Sequence, residues 1–210
     1  MRTQKAETRR RIINAAYESF WRSGFTRSSV DGIAERAEVP KRTIYMHFRS
    51  KDDLLAAVLL RYGELAAERL KHIGDRMPAD RDGLIDSYFG QLSGWANTTP
   101  RWSGSGFTRL VVELADLPGH PARAIARRAK AATESWLAER LAGARVTKPH
   151  ERAREIMLLT EGSMALTLIH GGRYYIDAAA RAAKQLINQT TPRSLTTRQG
   201  TSAAGYSRQV

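Results

Sequence analysis

Several side chains close to Lys41 have the chemistry needed to contact a nucleic acid. Lys41 and Arg42 can reach phosphates or the edges of guanine bases. Thr43 can bond a base edge or touch a thymine methyl group, and Tyr45 can pack on a sugar or bond a phosphate. Any one of these residues could equally belong to an ordinary solvated surface. Their grouping on one short basic segment favours a nucleic-acid interface.

A short helix is predicted to hold this group. Between Lys41 and Phe48, the apolar residues Ile44 and Phe48 recur at i, i+4 and so occupy the buried side. Pro40 suits the first turn of such a helix. The polar residues then share the exposed side, and a short helix of this kind fits the major groove of DNA.

Two further helices are predicted before it. The first stops at Gly24 and carries on one face the apolar residues Ile12, Ile13, Ala16, Tyr17 and Phe20. The second is predicted to start at Ser28, which with Asp31 three residues later forms a variant of the capping box. Its inward side holds Val30, Ile33, Ala34 and Ala37. Together the three helices form a helix-turn-helix bundle, although three-helix bundles also serve as plain interaction modules.

The charge of the chain points to the same class of partner. The sequence contains 34 Lys and Arg against 21 Asp and Glu, a net charge of +13. Residues 1–51 hold twelve Lys and Arg and five Asp and Glu, so they carry +7 of that excess. Such a basic segment suits a polyanion. Basic charge would also suffice for an architectural protein that binds DNA without sequence preference, so that class stays open.

The helix-turn-helix segment resembles the DNA-binding domain of TetR-family regulators. The resemblance covers roughly residues 6–66, and its most specific part is the pattern Ile-Tyr-x-His-Phe-x-x-Lys-x-x-Leu that starts at Ile44. Further matching positions are Gly24, Phe25, Ser28, Ser29, Val30, Ile33, Ala34, Ala37, Val39 and Thr43. Two residues depart from the family pattern: Glu38 stands where Gly is usual, and Pro40 where Ser is frequent. Both alter the turn and leave the DNA-facing groups unchanged.

The resemblance implies roles for the polar residues of the third helix. Lys41, Arg42 and Thr43 would lie nearest the base edges. Tyr45 would contact a phosphate, and His47 would help to set the helix on the DNA backbone. His47 has an alternative, because a histidine beside an aromatic residue is often a packing residue.

The resemblance also implies contacts from the flanking segments. Lys51 would bind a phosphate, and Arg27 and Ser28 would bind phosphate from across the groove. These residues position the protein on DNA and carry no sequence information themselves.

The rest of the chain is also predicted to be helical, which makes the protein all-α. Sustained alternation is absent, and Ala, Leu, Arg and Glu dominate. After a long fourth helix that ends near Ile73, helices are predicted over about 82–97, 105–116, 121–142, 150–171 and 175–189. The predicted organisation is a helix-turn-helix domain over 1–51, a larger helical domain over 52–189 and a disordered tail over 190–210.

A second segment, from Gly106 to Leu141, is similar to the C-terminal domains of AcrR-like members of the family. The residues that carry this likeness are Phe107, Glu113, Pro118, His120, Pro121, Trp136 and Leu137. The likeness implies a domain that receives a small-molecule ligand and also dimerises. The implied partners are an operator in double-stranded DNA, a second copy of the chain and an effector that changes DNA binding, with repression as the default sign.

Dimerisation has independent support in the last two helices. Apolar residues cover nearly the whole circumference over 153–170, so this helix must be buried on two sides. They are Ile156, Met157, Leu158, Leu159, Met164, Ala165, Leu166, Leu168 and Ile169. Gly162 and Ser163 allow another helix to approach closely, and the last helix offers a similar smooth face. A four-helix interface between two subunits is predicted, with an internal helix of a monomer as the alternative.

Aromatic residues cluster in the same domain and either fill its core or line a ligand cavity. The cluster comprises Tyr62, Tyr88, Phe89, Trp95, Trp102, Phe107 and Trp136. In the cavity interpretation, Trp102, Phe107 and Trp136 contact an apolar or aromatic effector. The candidate polar anchors are Arg109, Glu113 and His170.

Other function classes lack the residues they need. The chain has no cysteine, which excludes disulfides, Cys-ligated zinc and thiol nucleophiles. Gly104-Ser105-Gly106 fits neither a nucleophile elbow nor a dinucleotide loop, and the five histidines include no His-x-x-x-His pair. No catalytic residue, metal site or cofactor is therefore expected. The longest apolar run, Leu54 to Leu60, is too short to span a bilayer, so a cytoplasmic protein is expected.

Overall fold

The computed structural model of the protein describes residues 2–98 and 106–189, and these ranges contain nine α-helices and no strand. The helices are α1 (Arg2–Ser23), α2 (Val30–Arg36), α3 (Lys41–His47), α4 (Lys51–Gly74), α5 (Arg81–Thr98), α6 (Gly106–Val112), α7 (Pro121–Gly143), α8 (Pro149–His170) and α9 (Tyr174–Asn188). The predicted all-α fold is confirmed. The predicted tail over 190–210 and the candidate ligand contact Trp102 lie outside the described residues.

The first three helices form the predicted bundle. Ile12, Ala16 and Phe20 on α1 are fully buried and pack against α2 and α4. Helix α1 ends where Gly24 adopts a φ of +81°, a left-handed conformation that costs a residue with a side chain about 1 kcal/mol or more. The Gly24 N–H donates to the Phe20 carbonyl at 2.9 Å, which closes the last turn of the helix.

The turn between α2 and α3 is held by an arginine from α1. The Arg11 guanidinium donates to the carbonyl oxygens of Ala37 at 2.6 Å and of Glu38 at 3.0 Å. Glu38 itself has a φ of +52°. This conformation explains why glycine suits position 38 in the family pattern.

The predicted cap of α2 is wrong by one residue. Ser29, not Ser28, is the N-cap, because its side-chain oxygen accepts a hydrogen bond from the Gly32 N–H at 3.0 Å. Ser28 is buried, and its hydroxyl donates to the Gly24 carbonyl at 2.7 Å. The hydroxyl therefore closes the loop between α1 and α2.

Two hydrophobic cores organise the described residues. The first begins in α1–α3 and continues through the N-terminal half of α4 to α6 and the start of α7. The second joins α5, α7, α8 and α9. The first core therefore crosses residue 52, where the sequence predicts a division between domains. Helices α4 and α7, which pack along each other, link the two parts of the molecule.

Helix α6 is shorter than its predicted range of 105–116. It ends at Val112, and the following N–H groups of Leu114 and Ala115 bond three residues back, to Val111 and Val112. This tighter turn brings Glu113 to the loop after α1, where it accepts a hydrogen bond from the Thr26 N–H. A long-range contact of this kind is not visible in a local pattern. No described helix has the length and apolar character needed to cross a membrane.

Candidate nucleic-acid interface and effector cavity

The exposed side of α3 has the composition expected from the sequence. Ile44 and Phe48 are 2% and 3% exposed, so their predicted place in the core is confirmed. On the opposite side, Arg42 is exposed and Tyr45 is half-exposed. We call the outward group formed by Lys41, Arg42, Thr43 and Tyr45 the α3 surface. These side chains project from a helix that is anchored by its apolar face.

Lys41 is paired within the bundle. Its ammonium group donates to the Asp31 carboxylate at 2.9 Å, and this hydrogen bond raises the pKa of Lys41. Both side chains are largely exposed, so the pair contributes little to stability. A phosphate could take the place of Asp31 without leaving a buried charge behind.

Lys51 lies at the start of α4, against the loop that follows α1. Its ammonium group is 4.4 Å from the centroid of the Phe25 ring and donates to the Thr26 carbonyl at 3.3 Å. Burial lowers the pKa of Lys51. Because an ammonium group has three N–H donors, Lys51 retains donors for an anion while the ring and the carbonyl fix its position.

His47 lies at the end of α3, next to α1. Its ring centroid is 6.3 Å from that of Phe48, and its pKa is lowered by partial burial and by the charges of Lys5 and Arg9. The Arg9 guanidinium lies over the Phe48 ring at 5.0 Å. Sequence reasoning missed that the charges of Lys5 and Arg9 act on His47. Their i, i+4 spacing on α1 could have indicated a basic stripe.

Arg27 and Ser28 are not equivalent, although the resemblance pairs them. Arg27 is exposed, and its Nε donates to the Ser23 carbonyl at 3.0 Å, so the other guanidinium nitrogens remain directed outward. Ser28 is buried and its hydroxyl is already bonded. We therefore remove Ser28 from the set of candidate phosphate contacts.

A cavity of about 390 Å³ lies between α4, α5, α7 and α8, and Phe107 of α6 also lines it. Its aromatic lining consists of Tyr62, Tyr88, Trp95, Phe107 and Trp136. Phe107 stacks on Tyr62 with ring centroids 5.3 Å apart, and the stack continues to Tyr17 and Trp21 of α1 at 6.0 and 6.2 Å from Tyr62. Phe107 and Trp136 thus have the location expected of them, and an aromatic stack joins the cavity to α1.

Two polar side chains of the cavity lining, Lys130 and Glu161, are paired with each other. The Lys130 ammonium donates to one oxygen of the Glu161 carboxylate, and the Thr108 hydroxyl donates to the other at 2.7 Å. Burial raises the pKa of Tyr62 to about 12 and also raises that of Tyr88. Both phenols are therefore neutral at pH 7 and can donate hydrogen bonds to a ligand.

The predicted polar anchors do not line this cavity. Arg109 lies two residues after Phe107, so it leaves α6 on nearly the opposite side and donates to the Trp21 carbonyl of α1. Glu113 accepts hydrogen bonds from the N–H and hydroxyl of Thr26. His170 is exposed at the C-terminal end of α8, beside Tyr175. The expectation of anchors at these positions is wrong because their contacts lie elsewhere.

Arg109 and Glu113 instead connect the two parts of the molecule. Arg109 bonds the C-terminal end of α1, and Glu113 bonds the loop from α1 to α2. We call these two residues the α6 clamp. Phe107 lies on the same short helix, so one element contacts both the cavity and the helix-turn-helix bundle.

Comparison with known proteins agrees with this geometry. A sequence profile of bacterial regulatory proteins of the tetR family matches residues 12–58, which contain most of α1, all of α2 and α3, and the start of α4. Over these residues the chain is similar to the TetR family. The proteins that this profile describes are bacterial regulatory proteins.

Characterised relatives match this chain over its N-terminal part. The transcriptional regulator UidR of Escherichia coli K12 is 35% identical over 97 residues, which are 43% of this chain and 50% of UidR. The chain thus spans about half the length of that relative. The transcriptional regulator TtgR of Pseudomonas putida is 43% identical over 53 residues, a quarter of each chain.

Solved structures match nearly the whole fold. Reduced NemR from E. coli has a TM-score of 0.76 at 23% identity, with 89% of this chain and 99% of NemR covered. A TetR-family regulator from Streptomyces coelicolor has a TM-score of 0.76 at 22% identity, with 87% and 95% covered. At these identities the likeness establishes the fold of both parts of the chain.

Proposed function

We propose that this chain is a transcriptional regulator of the TetR type that binds a palindromic DNA operator as a homodimer and responds to a small-molecule effector. The observation that carries the proposal is the α3 surface, which presents donors outward from a helix fixed by Ile44 and Phe48. Repression is the proposed sign of regulation. Operator DNA is part of the chromosome, so we assign the proposed regulator to the cytoplasm.

Reading and positioning are divided between different side chains. Arg42 and Thr43 are proposed to contact base edges. Lys41 is proposed to contact them as well, once its ion pair with Asp31 is broken and replaced by a bond to DNA. Tyr45, His47, Lys51 and Arg27 are proposed to contact the phosphate backbone. Base contacts set the sequence preference, whereas phosphate contacts set register and general affinity.

A homodimer is supported by an apolar stripe on α8. Leu158 and Ile169 are each 71% exposed, and Gly162 and Ala165 lie between them at helical spacing. No described atom lies within 4 Å of where a Cβ at Gly162 would sit. With the exposed small residue Ala178 on α9, this stripe fits a four-helix interface. Two subunits would then present two copies of α3, separated by about 34–36 Å or a multiple.

The cavity is the proposed effector site, with two routes to the DNA-binding surface. The first is the stack from Phe107 through Tyr62 to Tyr17 on α1. The second is the α6 clamp, formed by Arg109 on the helix that also carries Phe107 and by Glu113, the residue directly after that helix. An effector that displaces Phe107 would move both contacts with α1. It would thereby change the separation of the two α3 helices.

The proposal is tested by selecting bound sequences from a random duplex library. A site with two-fold symmetry is expected, and affinity should fall steeply with salt as counterions are released. A site without any two-fold relation contradicts the dimer. Equal affinity for the selected and for random duplexes would favour an architectural DNA-binding protein.

Substitutions then test the assignment of reading and positioning. Arg42→Ala and Thr43→Ala should each relax the preference at particular base pairs, by roughly 1–3 kcal/mol for a bidentate contact. Lys51→Ala should weaken all sequences about equally, and Arg140→Ala, an exposed residue of α7, serves as the charge-matched control. If both substitutions on α3 leave the selected sequence unchanged, α3 is not the reading element.

A further inference from the structure

Among the described charged side chains that line the effector cavity, the carboxylates are all paired and two of the cations are not. Its lining includes three cationic side chains, Arg69, Arg128 and Lys130, and two carboxylates, Glu64 and Glu161. Lys130 is paired with Glu161, and Glu64 lies 3.2 Å from Arg61. Both carboxylates therefore have a cationic partner. Within residues 2–98 and 106–189, no ion pair involves Arg69 or Arg128.

The two unpaired arginines stand at the opening of the cavity. Arg69 projects from α4 and Arg128 from α7, and both are exposed as well as lining the cavity. Arg69 is near the aromatic stack, because its charge opposes the rise that burial causes in the pKa of Tyr17. An anion at this opening would meet guanidinium groups from two helices, each able to donate two parallel hydrogen bonds to a carboxylate.

Behind the opening, the lining is predominantly aromatic. Tyr62, Trp95, Phe107 and Trp136 provide ring faces and edges that suit a planar apolar group. A cationic ligand would find no unpaired carboxylate among the described lining residues, since Glu64 and Glu161 are engaged. It would also be repelled by the arginines.

From this arrangement we infer that the cavity takes an amphipathic anion, an aromatic ring system that carries a single carboxylate. The inference rests on the proposed effector site and names the chemical class of its ligand. The rings pack between Tyr62 and Trp136, and the carboxylate remains at the opening with Arg69 and Arg128. Because these arginines belong to α4 and α7, the ligand also ties the two linking helices together.

Three probes of the same size separate the possible classes. They are 2-naphthoate, the neutral 2-naphthamide and the cationic 2-naphthylmethylammonium, each titrated into the full chain by calorimetry. We expect naphthoate to bind about tenfold more tightly than the amide, the scale of one charge-assisted hydrogen bond at a partly exposed site. The cation should bind most weakly.

Arginine variants assign the effect to the opening. Arg69→Gln and Arg128→Gln should each reduce naphthoate affinity several-fold and leave amide affinity unchanged, whereas Arg140→Gln, also exposed on α7, should change neither. The double variant R69E/R128E should prefer the cation to the acid. Circular dichroism and thermal unfolding verify that each variant is folded.

The outcomes distinguish the inference from the proposal beneath it. If the amide or the cation binds as tightly as naphthoate, or if the arginine variants leave naphthoate affinity unchanged, the ligand class is wrong while the effector site stands. If none of the three probes binds, the cavity is not an effector site for this class of molecule and the inference is overturned. Operator binding is measured in a separate experiment, so neither result bears on the proposal that the protein binds DNA.

Discussion

Glu38 is a non-glycine residue in the left-handed region, with a φ of +52°, in the turn between α2 and α3. A side chain in this conformation costs about 1 kcal/mol or more. The carbonyl of Glu38 accepts a hydrogen bond from Arg11 at 3.0 Å, whereas its carboxylate is only a distant partner of the same arginine at 3.9 Å. The turn is therefore held through its backbone, and the Glu38 side chain is dispensable.

We expect Glu38→Gly to be more stable than Glu38→Ala by about 1 kcal/mol in chemical denaturation. Both variants remove the carboxylate, and only glycine relieves the backbone strain. The alanine variant is thus the matched control. Equal stabilities for the two variants would mean that position 38 is not strained in solution.

His47 predicts a pH dependence of DNA binding. Its pKa in the free protein is lowered below the usual 6.5 by burial and by Lys5 and Arg9, so the ring is neutral at pH 7. Because of this lowered pKa, the folded protein without DNA loses stability as the pH falls below about 6.5, since the unfolded chain then binds more protons than the folded one. A DNA phosphate beside the ring would raise the pKa instead, so binding takes up a proton.

Operator affinity should therefore increase as the pH falls from about 7 towards the lowered pKa of free His47. His47→Gln should bind with a weaker dependence on pH over the same interval. Fluorescence anisotropy at constant ionic strength measures both. An identical pH dependence in the variant would assign His47 to packing against Phe48 alone.

Single residues could be placed from the sequence where local periodicity decided their environment. Ile44 and Phe48 followed the i, i+4 rule and are buried. Ser28 could not be placed in this way, because Ser28 and Ser29 are adjacent candidates for the same cap. Their assignment depends on the Gly24 carbonyl, which accepts the Ser28 hydroxyl and leaves Ser29 to cap α2.

At the level of elements, helix α8 carries apolar surface that the rest of the described chain leaves exposed. Its buried side includes Ile156 and Met164, while Leu158 and Ile169 remain exposed on the other side. This agrees with the distribution of apolar residues around the whole helix in the sequence. A Cβ at Gly162 would have open space around it, so a larger side chain there is suited to test the proposed contact between subunits.

Gly162→Leu should weaken the dimer and leave the folded subunit intact. Gly90→Leu on α5 is the matched control, because Gly90 is also an exposed helical glycine with open space around it. Leucine has a higher helix propensity than glycine by roughly 0.5–1 kcal/mol, so both substitutions should stabilise their helix to a similar extent. Sedimentation equilibrium should detect a shift toward monomer for Gly162→Leu only. An unchanged dimer in both variants would place the interface on another face.

The bounds of the helices were largely predictable, because caps and breakers mark them locally. Gly24, Pro149 and Gly171 stand at or beside helix ends, as expected. The end of α6 was not predictable in this way. Glu113 leaves the helix to bond Thr26, a residue 87 positions earlier, and the pattern around position 113 contains no trace of that partner.

At the level of the whole molecule, α6 joins the effector cavity to the helix-turn-helix bundle. Sequence reasoning identified α4 as the connection and placed Arg109 and Glu113 in the ligand site. The structure packs α4 in the first core and against α7, which continues into the second core, and it assigns those two residues to the α6 clamp. Chemistry that suits a ligand suits an internal contact equally well, so residue type alone could not separate the two roles.

The α6 clamp predicts that ligand binding and DNA binding can be uncoupled outside both sites. Glu113→Ala removes the acceptor for the Thr26 N–H and hydroxyl, and it touches neither the cavity lining nor the α3 surface. Asp116→Ala, an exposed acid in the same segment, is the matched control. We expect naphthoate affinity without DNA to change less than about twofold in both variants. Operator affinity without ligand is measured for each variant as its own reference, because the Glu113 charge also acts on Lys51.

The coupling between the two ligands should change only in Glu113→Ala. In the unmodified protein, saturating naphthoate should shift operator affinity by a factor in the typical range of about 5 to 150, and operator DNA must shift naphthoate affinity by the same factor. Losing the clamp should bring that factor towards one in both directions, because the movement of α6 no longer reaches the loop after α1. Titrating each ligand in the presence and absence of the other measures the factor twice. If Glu113→Ala retains the full factor, coupling passes through the Phe107–Tyr62–Tyr17 stack and α4 instead.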